Sequence, residues 1–210
     1  MTAPKWKRRK AARPAEIVAA ALAVFAERGF AAARTEDIAA RAGISKGALY
    51  LYFPTKEDLF RAVVREAVVP NIEAFGAQLA VSDLPFPAVL RAMLPRFAET
   101  VASTRLGAVA KMVVGESGNF PELARVWYDI VISPAIALIS DLIARAQQRG
   151  EIRPGDPRTH AFSIMGPMFM SVIWRETFTP IGGSDIDLSA IARQHVETVL
   201  AGLVADGGKV

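Results

Sequence analysis

An enzyme built from this chain would have to work with two histidines, a serine between glycines and no cysteine. His160 falls in the first turn of an expected helix and His195 in the middle of another, and neither has a second metal ligand at a useful spacing. Ser117 lies in Gly-Glu-Ser-Gly (115–118), which lacks the glycine spacing and preceding strand of a nucleophile elbow. The pair Gly182-Gly183 follows no strand and has no phosphate-loop pattern. Without cysteine there is no disulfide, thiolate metal site or thiol-based redox sensor. No catalytic residue, metal or cofactor is therefore expected. The chemistry that remains is ionic. Lys5, Lys7, Arg8, Arg9, Lys10 and Arg13 crowd the start of the chain. Residues 1–60 hold 11 Lys/Arg against 6 Asp/Glu, whereas residues 61–210 hold 14 against 15. A basic segment on a near-neutral body implies a polyanionic partner for that segment.

The elements that would carry this charge are helical. Residues 1–13 read as a flexible basic arm, too polar to fold alone. Pro14 suits the first position of a helix, in which Ile17, Ala20, Ala21, Val24 and Phe25 share one face and Gly29 marks the end. Thr35 is an expected N-cap, with Glu36 and Asp37 in the first turn and Ile38, Ala39 and Ala42 as the buried face. Gly43 stops this helix, Ile44 plugs the turn, and Ser45 caps a third helix from Lys46 to about Tyr52. Pro54 breaks the chain, and Thr55 with Asp58 resembles a capping box that opens a fourth helix near Lys56 and reaches about Leu79. Two short helices around a tight glycine turn describe a helix-turn-helix.

Here the pattern becomes specific. Ala-Glu-Arg-Gly-Phe (26–30), Thr35-x-x-Ile38-Ala39 and Ala42-Gly43-Ile44-Ser45-Lys46-Gly47-Ala48-Leu49-Tyr50-x-Tyr52-Phe53-x-x-Lys56-x-x-Leu59 together resemble the DNA-binding domain of the TetR (tetracycline-repressor) family over about residues 14–60. The resemblance implies a one-component transcriptional regulator, by the family's habit a repressor. It also implies that Thr35, Lys46, Gly47, Ala48, Tyr50, Tyr52 and Lys56 are DNA contacts. The residue types agree with that. Small Gly47 and Ala48 let a helix approach the major-groove floor, and Lys46 can reach a base edge or a phosphate. The hydroxyls of Thr35, Tyr50 and Tyr52 and the ammonium of Lys56 suit phosphate contacts, which position a protein without reading sequence.

Beyond residue 60 no repeat or low-complexity segment appears. Helices are expected near 88–102, 105–115, from Pro121 to before Gly150, from Pro157 behind an Asp156 cap to about Thr177, and from Leu188 behind Asp187 or Asp185 to about Ala205, with a linker at Ser82–Pro87 and kinks at Pro134 and Gly166-Pro167. The expected fold is all-α: an N-terminal three-helix helix-turn-helix domain (14–60) joined by a helix to a larger helical ligand-binding and dimerisation domain (61–210). The last two helices are apolar on more than one side, so one face needs a partner. In the family that partner is the same helix pair of a second copy, and a two-fold dimer matches a palindromic operator. The resemblance also implies an effector pocket, for which Met93, Phe97, Met112, Trp127, Tyr128, Met165, Met168 and Phe169 are candidate linings for a neutral or weakly polar small molecule.

No apolar run approaches the roughly 18 residues of a membrane span, and the basic start is followed by no signal-type apolar stretch. The chain reads as cytoplasmic, with no membrane partner. Three other readings compete: a DNA-binding dimer without an effector, a membrane-surface protein using the basic arm and an amphipathic helix, and an enzyme. Preference for one duplex sequence over vesicles or random duplex separates the membrane reading from the DNA readings.

Overall fold

The computed structural model describes residues 5–80 and 84–204. The first four residues of the expected arm, linker positions 81–83 and residues 205–210 lie outside the described residues, as do the side chains of Lys5, Lys7, Arg8, Arg9 and Lys10. The described chain is helical throughout: α1 (Lys5–Ala32), α2 (Thr35–Arg41), α3 (Lys46–Tyr52), α4 (Lys56–Val63), α5 (Val69–Ala80), α6 (Phe86–Ser103), α7 (Leu106–Glu116), α8 (Pro121–Trp127), α9 (Ser133–Gln148), α10 (Pro157–Thr177) and α11 (Leu188–Leu203). Among the described residues the only strand-like pairing is one antiparallel bridge, Ile152 to Val204.

Two expectations about the first helix change. Helix starts at Lys5, so Pro14 lies inside α1 rather than at its first position, and the arm expected to be flexible is helical from Lys5 on. At the other end Gly29 leaves the helix with φ 77° and ψ 175°, a conformation that a side chain resists. Thr35 is the first residue of α2 and not its cap; Arg34 holds the cap position without a side-chain hydrogen bond. The other start signals hold. Ser45 Oγ accepts from the Ala48 N–H at 3.2 Å. Thr55 Oγ1 accepts from the Asp58 N–H at 3.0 Å and donates to the Asp58 carboxylate at 2.8 Å. Asp156 accepts from the Thr159 N–H at 2.7 Å, and Asp187 accepts from Ser189 and Ala190.

The expected fourth helix is α4 and α5 joined by a π-helical stretch, Val64–Val68. The long helix after Pro121 is likewise interrupted by π-helical Tyr128–Ile132, directly before Pro134. A proline ring clashes with the carbonyl four residues back, and a wider turn relieves that clash. Pro167 lies inside α10, which continues through it without a break. By length and composition Pro121–Gln148 is apolar enough to cross a membrane, with mean hydropathy 1.6 over 18 residues, a stretch that reading for unbroken apolar runs overlooks because Asp129 and Asp141 divide it. Its Leu123, Val126, Val131, Ile139, Leu142, Ile143 and Ala146 are buried in the protein's own core.

The chain forms two compact units. One comprises the residues through Pro70 together with Ala108–Val131; the other comprises Asn71–Gly107 and the residues from Ile132 on. The first unit thus takes in a stretch that the sequence assigns to the body. Phe25, Phe30 and Phe60 form an aromatic cluster with centroids 5.5–6.1 Å apart, and Phe120 packs edge-on to Phe30 at 5.1 Å. The second unit is a four-helix core of α6, α9, α10 and α11. Leu90, Leu94 and Ala98 of α6, Ile139, Leu142 and Ile143 of α9, Ile164, Met168 and Val172 of α10, and Ala192, Val196 and Leu200 of α11 belong to one buried cluster. The three- and four-residue spacing of these positions keeps each apolar stripe on one side of its helix.

Candidate nucleic-acid interface

In the first unit α1 and α2 are tied together by Arg41 and Glu27 at 2.7 Å and by the Arg28–Asp37 pair. They support α3, whose Leu49 is fully buried. With Leu49 turned inward, Lys46, Gly47 and Tyr50 are exposed and Ala48 is half-buried, so the outward side of α3 is small-residued near its start. A Cβ on Gly47 would meet nothing within 4 Å, so this glycine is not demanded by internal packing.

Each candidate contact has a partner or setting that the sequence does not reveal. Lys46 Nζ is 2.6 Å from the Glu36 carboxylate and 5.9 Å from the centre of the Tyr50 ring. The hydrogen bond between them holds Glu36 below the ordinary carboxylate range and Lys46 above the ordinary lysine range. Lys46 must leave Glu36 to engage a phosphate or base. Thr35 is buried, with its hydroxyl 3.1 Å from the Tyr50 hydroxyl. Thr35 is thus placed to orient Tyr50, itself 40% exposed. Tyr52 is half-buried.

Lys56, at the start of α4, lies 4.4 Å from the centre of the Phe30 ring and donates to the Ala31 carbonyl at 3.4 Å. Desolvation there lowers its pKa, with the charges of Glu116 and Glu57 opposing. Glu116, at the end of α7, accepts from the Phe30 N–H at 2.8 Å and the Ala31 N–H at 2.6 Å. A Cβ on Gly29 would run into the same carboxylate. The turn after α1, with the cation resting on it, is thus held by a carboxylate more than eighty residues further along the chain. Glu116 escapes sequence reasoning because it sits in the Gly-Glu-Ser-Gly segment, where only the serine attracts notice as a nucleophile.

The eight candidate pocket residues divide between the two units. Met112, Trp127 and Tyr128 belong to the first unit, Met112 buried and Tyr128 50% exposed. Met93, Phe97, Met165, Met168 and Phe169 belong to the second. There Met168 is fully buried, Met93, Phe97 and Met165 pack against the core, and Phe169 is exposed. The two histidines are packed in the second unit, with His195 Nε2 2.9 Å from the Ile164 carbonyl. Among the described residues no group of three or more His, Asp or Glu side chains is arranged to hold a metal ion.

A short helix presented on α1 and α2, exposed on its outer side and with cations and hydroxyls at its edges, defines a helix-turn-helix DNA-binding protein. The family comparisons agree. Residues 17–63 match the model for bacterial regulatory proteins of the tetR family, and residues 88–188 match the tetracyclin repressor-like C-terminal domain. The HTH-type transcriptional regulator RutR of Escherichia coli strain K12 is 31% identical over 172 residues, covering 78% of this chain and 75% of that protein. A crystal structure of a TetR-family regulator from Mesorhizobium loti is 26% identical, with a TM-score of 0.75 over 94% of this chain and 99% of that one. The SmeT–triclosan complex is 25% identical, with a TM-score of 0.73 over 95% of each chain. The chain belongs to the TetR family of transcriptional regulators.

Proposed function

We propose that this regulator is a cytoplasmic repressor that binds a palindromic operator as a homodimer and is released by a small apolar or weakly polar effector. The observation that carries the DNA half of this reading is the outward side of α3: Gly47 lies opposite buried Leu49 with Lys46 and Tyr50 exposed at its flanks, in the segment that follows the basic start of the chain. Lys46, Gly47 and Ala48 face the major groove. Tyr50, Tyr52 and Lys56 hold phosphates, with Thr35 orienting Tyr50. The domain roles follow: arm (1–13), DNA-binding domain (14–60) and effector-binding and dimerisation body (61–210).

The dimer half rests on α10. Phe162, Phe169 and Met170 are 54%, 41% and 53% exposed on a helix whose other side is core. On α11, Leu188, Val196, Leu200 and Leu203 are buried, Ile191 and Val199 are half-buried, and the exposed side carries Arg193, Gln194, Glu197 and Thr198 with the small Ala190, Ala201 and Gly202. In the dimer α10 supplies the apolar contact and α11 its polar margin.

Support for an apolar effector comes from the Met and aromatic side chains at Met93, Phe97 and Met165, and from SmeT, which binds triclosan. An effector that prefers one body conformation lowers operator affinity by its differential affinity for the two states. The test begins with selection of bound sequences from random duplex DNA. Binding to the selected and scrambled duplexes is then measured across salt concentrations. A thermal-shift screen of small apolar compounds follows, with operator binding repeated for each hit. Linkage requires operator DNA to weaken the binding of each effector by the same factor. Equal affinity for selected and scrambled duplex refutes operator recognition, and hits that leave operator affinity unchanged refute the switch.

A further inference from the structure

Helix α3 carries an apolar side chain where an amphipathic pattern puts a polar one. Leu51 is 85% exposed, twice as open as its neighbour Tyr50. With Leu49 fully buried, Gly47 and Leu51 each fall within about 20° of the opposite pole of the helix, since successive residues turn by about 100°. They are also four residues apart. Side chains on a helix tilt toward its N-terminus, so Leu51 leans over the turn where Gly47 has no side chain. The outermost ridge of α3 is therefore a low saddle with a single isobutyl group above it, flanked by Lys46 and by the Tyr50 hydroxyl held by Thr35.

An exposed leucine forfeits its burial energy in the free protein, and nothing in the chain's own core recovers it. On the major-groove edges of the base pairs the apolar group is the 5-methyl of thymine. We infer that Leu51 is a specificity-determining residue that packs on a thymine methyl in each operator half-site, with Gly47 giving α3 the close approach this contact needs. The inference rests on the groove-facing placement of α3 proposed above and adds to it the identity of one base.

The experiment uses the full-length chain, wild type and Leu51→Ala, on the selected operator. Each thymine is replaced in turn by deoxyuridine, which keeps the pairing and the O4 acceptor and removes only the methyl. At one thymine per half-site the replacement weakens wild-type binding about fourfold, the factor carried by one buried methyl group. Leu51→Ala binds the unmodified operator less tightly and is indifferent to deoxyuridine at that position, while replacements elsewhere affect both proteins equally. Because the side chain is exposed, the variant keeps the wild-type melting temperature. If every replacement acts equally on the two proteins, the thymine assignment is overturned although operator recognition stands. If no duplex sequence is preferred at all, both are overturned.

Discussion

Removing the Glu116 carboxylate should loosen the first unit without replacing any residue proposed to meet DNA. In the wild type Glu116 accepts two backbone hydrogen bonds, from Phe30 at 2.8 Å and Ala31 at 2.6 Å. They lie just after Gly29, whose non-helical φ and ψ break α1, so the carboxylate serves two amides at the break. A hydrogen bond to a charged group contributes about 1.5–3 kcal/mol where it is partly buried. The Phe30 bond is partly buried and the Ala31 bond exposed, so the first dominates and Glu116→Ala should cost about 2–3 kcal/mol in all. For a chain of this size that is a fall of roughly 5–10 °C in melting temperature. The loss has a local signature: the Phe30 and Ala31 amides should exchange with solvent faster than those of the α2–α3 turn. Glu116→Gln keeps one carbonyl acceptor but loses the charge, and should fall between wild type and alanine. Lys56 then loses a charge that opposes its desolvation, so its pKa moves further below the ordinary lysine value. Calorimetry and amide exchange by NMR read these effects. A melting temperature within about 1 °C of wild type, with unchanged exchange at Phe30 and Ala31, would refute the reasoning.

Other consequences can be checked on the same material. Lys56→Ala should weaken binding to every duplex and reduce the salt slope by about one, as loss of one phosphate contact requires. Glu36→Gln frees Lys46 from its 2.6 Å partner; operator affinity should rise by no more than about fivefold, the scale of an exposed ion pair, and the gain should vanish at high salt. In sedimentation Phe169→Glu should give a folded monomer. Leu200→Glu, although it lies on the other helix expected at the interface, should instead unfold the second unit, because Leu200 is 3% exposed within a single copy. Glu151 accepts from the Phe86 N–H at 2.5 Å at the start of α6, and its hydrogen bond with Arg149 is the largest cause of its lowered pKa. The stability it contributes is full above the ordinary glutamate range and is lost as the pH falls through its depressed value. Acid melts of Glu151→Gln should therefore lack that part of the wild-type pH dependence.

What was legible in the sequence is local or periodic. Ser45, Thr55, Asp156 and Asp187 announce helix starts because a cap acts within three residues of itself. The apolar spacing of Leu90, Leu94 and Ala98 or of Val196, Leu200 and Leu203 announces a buried stripe. The ordered string from Ala26 to Leu59 carries the family because so many positions agree in register. Tertiary structure alone decided which neighbour each stripe meets. Periodicity shows that α11 is amphipathic, but only packing against α6 and α10 puts Leu200 in the core instead of at an interface. The Lys46–Glu36 pair joins two helices across a turn, and Glu116 meets Phe30 at a separation of 86 residues. A hydrogen bond at that distance along the chain leaves no local pattern, since it depends on where α7 lies against the turn after α1. The candidate effector residues show the same limit: composition marks Met and aromatic side chains as adaptable, whereas their division between two units follows from which helices pack together.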